Sequence, residues 1–292
     1  MRVLVLGGTG SIGSAVLREL AGRGHAVVAL ARSDAAAAKA SGLGAAAVLR
    51  GNIAAPAAWV ARLPEVDAVV QMASDFASPM RESERRLLDA LIPRLPARVR
   101  FIYTGGCWLF GATGDSPATE RTAFSPLPTF AWMVPHAREI LASRAVHGVV
   151  IHPGMVWGDD GGGVFGRFAS DAREGRPVRV VGGEAVRWPL VHRDDLAVLY
   201  ALALEQAPAG ESYLGVASEG TPVGRLAWAF AHCFGTRRSA PEIVSADTIA
   251  SELGEWARGY ALDQRLSGAK ARQELGWRPV HLDPEAAIAR LA

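Results

Sequence analysis

Lysine is almost missing from this 292-residue chain: Lys39 and Lys270 are the only two, and every other basic residue is arginine. Chemistry that depends on a lysine amine therefore has two positions to choose from. Cysteine is as scarce. Cys107 and Cys233 are too few and too far apart for a disulfide framework or a zinc cluster, and they suit a reducing cytoplasm. No apolar run is long enough to cross a bilayer, and the opening run Met1–Leu6 breaks at Gly7, too soon for the core of a signal peptide. Concentrated charge is lacking too: the formal net charge is +2 and the arginines are scattered, which argues against a nucleic-acid partner. A small-molecule substrate is the expected ligand.

What is present is hydrophobic: half the residues are apolar, enough for a substantial core. Short apolar runs alternate with helical spacing through the first two-thirds of the chain, the pattern of a parallel sheet with crossover helices. The expected strands are Arg2–Leu6, Ala26–Ala31, Ala46–Leu49, Ala68–Met72, Arg100–Thr104 and Val149–His152, and the expected helices between them Ser11–Ala21, Glu82–Leu95 and Thr129–Arg144. None of these strands alternates polar with apolar, as expected where both faces are covered. This predicts an α/β fold with a Rossmann-type doubly wound parallel sheet over residues 1–155, rejoined by 190–215. A smaller, mostly helical substrate-binding region then takes 156–189 and 216–292. Within it, a strand is expected at Val178–Val181 and helices at Phe165–Glu174, Val223–Phe234, Asp247–Leu253 and Leu266–Leu275, the last stopped by Gly276 and Pro279.

The strand Val3–Leu6 runs into Gly7-Gly8-Thr9-Gly10-Ser11-Ile12-Gly13 and then an Ala/Leu-rich helix. Strand, glycine turn and helix in that order form a dinucleotide fingerprint. Gly7 permits the turn, Gly10 lets the backbone approach a pyrophosphate, and Gly13 allows close helix packing, with Thr9, Ser11 and Ile12 completing the cradle. At the end of the second strand an NAD-selective site would place an acid, but Arg32 and Ser33 stand there. A guanidinium suits a 2′-phosphate, so the expected cofactor is NADP(H) ahead of NAD(H). Asp34 comes too late to be the usual ribose acid.

These residues resemble the extended and atypical short-chain dehydrogenase/reductase families, which include NAD-dependent epimerases and dehydratases. The likeness spans nearly the whole chain: the glycine loop, Gly51-Asn52-Ile53, Phe101 to Gly106 running to Phe110-Gly111, His152-Pro153-Gly154 with Trp157-Gly158, Val191 to Ala197, and Leu275 to Pro279. The resemblance implies that Asn52, beside Ile53, replaces the family's adenine-facing aspartate. It implies that Met72, Ala73, Ser74, Thr104 and Gly105 line the cofactor, and that Pro153, Gly154, Met155 and Val156 flank the nicotinamide. It also implies a homodimer built through Glu82–Leu95 and Thr129–Arg144, where Leu87, Leu88 and Leu91 form an apolar stripe.

The active chemistry is where the likeness breaks. The family's redox enzymes use a hydroxyl residue and a tyrosine followed four residues later by lysine; the matching positions here hold Gly106, Ala131 and Pro135. None of Tyr103, Tyr200, Tyr213 or Tyr260 has a lysine four residues on. Pro135 should also make the local helix kink or start late. Shifted by one, Trp132 and His136 take the two places, which makes His136 a candidate proton carrier, with Cys107 as a second candidate. Asp75 and Phe76, past the fourth strand, are candidate substrate contacts. Trp108, Trp132, Trp157, Trp188 and Phe165 fall near the expected cleft and suggest an apolar, flat substrate. His192, Asp194 and Asp195 read as a helix start, so no metal is expected. Reduction, epimerisation or dehydration with a non-standard proton donor is the leading reading. A non-redox isomerase or cyclase, and a cofactor-binding protein without catalysis, stay open.

Overall fold

The computed structural model describes residues 1–74, 79–234 and 240–291. Its first half runs β1 (Arg2–Leu6), α1 (Ser11–Gly22), β2 (Ala26–Ala31), α2 (Asp34–Gly42), β3 (Ala47–Arg50), α3 (Ala57–Val60), β4 (Ala68–Gln71), α4 (Met80–Leu91), β5 (Val99–Thr104), α5 (Met133–Ala142) and β6 (Val146–Pro153). There follow β7 (Met155–Trp157), α6 (Gly166–Arg173), β8 (Arg179–Val181), β9 (Arg187–His192), α7 (Arg193–Gln206), β10 (Ser212–Gly215), β11 (Ser218–Pro222), α8 (Val223–Cys233), β12 (Glu242–Val244), α9 (Ala246–Leu253), α10 (Ala269–Leu275) and α11 (Pro284–Ala289).

Seven strands form one sheet in the order β10-β6-β5-β4-β1-β2-β3, and every pairing in it is parallel. The order reverses between β1 and β4, where a crevice opens at the strands' carboxyl ends. The expected α/β Rossmann-type architecture is therefore present. Alternate strand residues feed two apolar layers: Val3, Val5, Val27 and Val70 pack under α1 and α7, while Leu4, Leu6, Val69 and Phe101 pack under α4 and α5. Leu87, Leu88 and Leu91 are fully buried in that second layer. The stripe that suggested a dimer seam thus faces the sheet of its own chain, a correction to the sequence reading.

Several local readings hold. Gly276 ends α10 in the left-handed region at φ +64°, and Asp194 and Asp195 occupy the first turn of α7. α5 starts late, at Met133 after a 3-10 turn over Pro128–Phe130. Pro135 then falls in the first turn, where an amide has no acceptor to lose. The sequence did not reveal β7, β9, β10, β11 or β12, while β8 falls within the expected strand Val178–Val181. A second small sheet, β11-β9-β7, carries a third apolar cluster that includes Trp157, Phe165, Phe168, Trp188 and Phe230.

Candidate active site

The glycine loop has the geometry its spacing implied. Gly7 sits at φ +84°, and a Cβ there would lie 2.8 Å from the Ala73 amide nitrogen. A Cβ on Gly13 would lie 2.0 Å from the Gly7 carbonyl oxygen. Only glycines let the loop, the head of α1 and the end of β4 come this close. Gly10 begins α1 without any side-chain cap, so the first-turn amides around Ser11, Ile12 and Gly13 are left to an outside acceptor. These residues fit a dinucleotide pyrophosphate.

At the far end of the loop, Lys39 reaches back from α2 to the Thr9 carbonyl, Nζ to O 2.9 Å. Ser33 caps α2, its hydroxyl accepting from the Ala36 amide at 3.2 Å. Arg32 is exposed at the tip of β2. Asp34 pairs with Arg50 at 3.2 Å on the surface. Asn52 uses its side-chain oxygen to accept from the Ala54 amide at 3.0 Å, with Ile53 beside it packed on the core.

Below the loop lies a cavity of about 340 Å³. Of the expected cofactor contacts it brings together Ile12, Met72, Ala73, Ser74, Thr104, Gly105, Pro153, Gly154, Met155 and Val156, and of the other candidates Cys107, Trp108 and Trp132. Gly7, Thr9, Gly10, Ser11 and Gly13 stand above it as the loop, and Arg32 and Ser33 lie out at the rim of the sheet. Asp75 and Phe76 lie outside the described residues.

Three aromatics expected in the cleft are in the core instead. Trp157 is 2 % exposed and stacks on Phe165 at 5.5 Å; Trp188 is equally buried and stacks on Phe168 at 5.7 Å. Their apolar rings complete the third cluster, a stronger demand than facing a solvent-accessible pocket. The cavity's aromatic wall is made by Trp108, Phe130, Trp132 and Tyr260, with Trp108 edge-on to Tyr260 at 5.6 Å.

Burial pushes the Cys107 thiol up to about 12, although the Cys107 and Trp108 amides pull the other way. A neutral thiol is a poor nucleophile. His136 is buried on α5 and does not line the cavity; its Nδ1 lies 2.9 Å from Glu84 Oε1. Glu84, on α4, does line it, and the same Oε1 accepts the Tyr103 hydroxyl at 2.5 Å. Burial first, and the Glu84 charge second, raise the Tyr103 pKa well above that of a free phenol. Sequence reading missed Glu84. The signal was there, because residues 84, 87, 88 and 91 share one helical face and one of the four is an acid.

Behind the cavity, His152 is fully buried between Phe110 and Phe124, with neither ring nitrogen in a well-aligned hydrogen bond. Burial, opposed weakly by the Gly106 backbone, pulls its pKa down to about 4. Asp159, His192 and His281 bring ligand atoms within 4.8 Å of one another. The Asp194 amide, however, donates to His192 Nδ1 at 3.2 Å. That bond leaves the imidazole proton on Nε2, the nitrogen a metal would need bare.

The sequence model described as NAD dependent epimerase/dehydratase family matches residues 3–214. Among individual proteins, the chain is 28 % identical to the uncharacterized protein C2A9.02 of Schizosaccharomyces pombe over 96 % of each chain. It is 27 % identical to the 2-alkyl-3-oxoalkanoate reductase of Stenotrophomonas maltophilia over 76 % of this chain and 72 % of that one. Among solved structures, human epimerase family protein SDR39U1 with NADPH superposes with a TM-score of 0.78 at 22 % identity, covering 100 % of this chain and 99 % of that one. The dTDP-glucose 4,6-dehydratase DesIV of Streptomyces venezuelae, solved with NAD bound, gives 0.82 at 22 % identity over 100 % and 95 %. At these identities the superpositions establish the fold.

Proposed function

Since the chain belongs to the NAD dependent epimerase/dehydratase family, we propose that it is an oxidoreductase that uses NADP(H) to reduce a small, uncharged, apolar or aromatic carbonyl compound. The observation that carries the substrate class is the cavity wall. Among the described residues, no arginine, lysine or histidine lines it, while Trp108, Leu109, Phe130, Trp132, Met133 and Met155 do. A nucleotide sugar brings a diphosphate that would be desolvated there without a counter-charge, a cost of several kcal/mol per ion. An apolar ketone brings none. The relative named as a 2-alkyl-3-oxoalkanoate reductase supports ketone reduction as the reaction class.

The cofactor reading rests on the loop and the rim. Ser11, Ile12 and Gly13 at the head of α1 would hold the pyrophosphate. The 2′-phosphate would meet Arg32, with Ser33 next to it in sequence and Asp34 paired with Arg50. When bound, the reduced nicotinamide supplies the hydride; the residues Pro153 to Val156 would hold its ring against the cavity.

Fluorescence titration with NADPH and NADH, followed by NADPH-oxidation assays on aryl alkyl ketones, tests this. NADPH is expected to bind more tightly. Arg32→Ala is expected to lose about 10-fold or more of that preference, the lower end of the value of a charge-assisted hydrogen bond because the site is exposed. Equal affinities for the two cofactors, or turnover of a dTDP-sugar with no turnover of apolar ketones, would overturn the proposal.

A further inference from the structure

We infer that Glu84 is the proton-exchanging group of this site and that His136, behind it, holds and returns the proton. The inference deepens the reduction proposed above and rests on it for the identity of the reaction. Among the described residues, the lining side chains that can ionise are Glu84, Cys107 and Tyr260. Burial raises the Cys107 thiol to about 12, and it also raises the Tyr260 phenol. Of the two lining hydroxyl side chains, that of Thr104 is engaged with Tyr200 at 2.7 Å and that of Ser74 faces the Met80 sulfur at 3.6 Å. Glu84 remains as the acid in contact with the space a substrate would fill.

Its setting suits proton exchange. Oε1 is fixed from two sides, by the Tyr103 hydroxyl from β5 and by His136 Nδ1 from α5. Among the described residues Oε2 has no hydrogen-bond partner, which leaves that oxygen for a ligand. Trp132, one residue past the place that matches the family's tyrosine, lies edge-on to the His136 ring at 5.5 Å and lines the cavity, which His136 does not. Arg85, next in sequence, is occupied with Glu139 and Asp89. Glu84 and His136 therefore face each other across one 2.9 Å contact.

The carbonyl carbon would gain the hydride, with its electron pair, that the reduced nicotinamide supplies when bound. The carbonyl oxygen gains a proton from the Glu84 carboxyl, breaking its O–H bond. The resulting carboxylate is restored through His136: the neutral imidazole takes a proton from solvent at Nε2, and the imidazolium so formed gives its Nδ1 proton to the carboxylate across the 2.9 Å contact and is left neutral. Glu84 is the catalytic residue in this scheme, while His136 and Tyr103 are positioning residues.

Two measurements on the full chain test it. The first needs no substrate: with NADPH bound, the ¹³C-carboxyl shift of Glu84 and the ¹⁵N shifts of His136 are followed against pH, each assigned by comparison with Glu84→Gln or His136→Gln. The two resonances are expected to titrate in step, and adding 4-nitrophenol as a cavity probe should move the Glu84 signal. A Glu84 signal that ignores both His136 and the probe would overturn the inference. The second is kinetic, with acetophenone as the probe ketone. Glu84→Gln is expected to lower kcat by ~10²-fold or more, the worth of a positioned general acid, with NADPH affinity unchanged. His136→Gln should displace the pH profile, and Glu84→Asp should recover part of the rate. A Glu84→Gln enzyme as fast as the parent would sink the inference. If the parent enzyme reduces no ketone, the proposed function fails and the shared titration still decides whether Glu84 and His136 exchange a proton.

Discussion

The buried imidazole of His152 makes the stability of this protein depend on pH in a way that can be worked out. Its ring lies between Phe110 and Phe124 and against Gly105, where a Cβ would come within 2.3 Å of Nδ1. Burial holds its pKa at about 4, below the ordinary 6.5. Above pH 6.5 the side chain is neutral in both folded and unfolded states and contributes nothing to the slope. Below 6.5 the unfolded chain takes up a proton that the folded protein refuses until about pH 4, so stability falls with pH across that window. At 1.36 kcal/mol per unit, the loss is about 2 kcal/mol at pH 5 and about 3 kcal/mol by pH 4. Full burial removes any need to discount this for solvent screening. His152→Leu keeps a similar volume and gives up no hydrogen bond of good geometry, so it should match or exceed the parent at pH 7. Urea unfolding at pH 7 and pH 5 reads the difference: the parent should lose about 2 kcal/mol more than the variant over that interval. Parallel pH dependence in the two proteins would refute the reasoning.

Other outcomes follow from single sites. Gly13→Ala places a methyl 2.0 Å from the Gly7 carbonyl oxygen with backbone on every side. It should cost about 1–3 kcal/mol and abolish NADPH binding, and an alanine variant with parental melting and affinity would contradict the loop geometry. Cys107, held as the thiol, should resist iodoacetamide at pH 8 until the protein is unfolded; peptide mapping that finds it alkylated as fast as a free thiol would show the site is not closed. The homodimer remains a proposal, now resting on the outer faces of α4 and α5, which Arg85 and Glu139 join side by side. Sedimentation at micromolar concentration should give twice the monomer mass, and a monomer there would dismiss it.

The sheet was readable from sequence because each strand is an apolar run closed on both faces, and such runs stand out wherever they are separated by helical spacing. The strands at Arg2–Leu6 and Ala26–Ala31 match residue for residue. β9 and β11 were not readable. Their segments, Arg187–His192 and Ser218–Pro222, each contain a proline and mix polar with apolar residues; what makes them strands is pairing with each other and with β7, a long-range fact. At the site, the glycine loop was legible because backbone crowding restricts those positions to glycine. Trp157, Phe165 and Trp188 misled because an aromatic near a cleft in sequence order gives no sign of which way it points. Glu84 escaped for the opposite reason, since a search for the family's tyrosine and lysine looks along α5 and never at the helix packed beside it.

The position of β10 has a consequence for how the chain is made. This strand forms the outer edge of the sheet by pairing with β6, Val150 opposite Ser212, and everything from β7 to α7 is spelled out between the two. During synthesis β6 therefore emerges with an apolar ribbon and an open row of amides and carbonyls on one side, and its cover arrives only after that whole stretch has left the ribosome. An uncovered edge of this kind is an invitation to the wrong strand. The interval between translation of Pro153 and of Gly215 is thus a period in which this edge of the nascent protein is open to mispairing and a chaperone has something to protect.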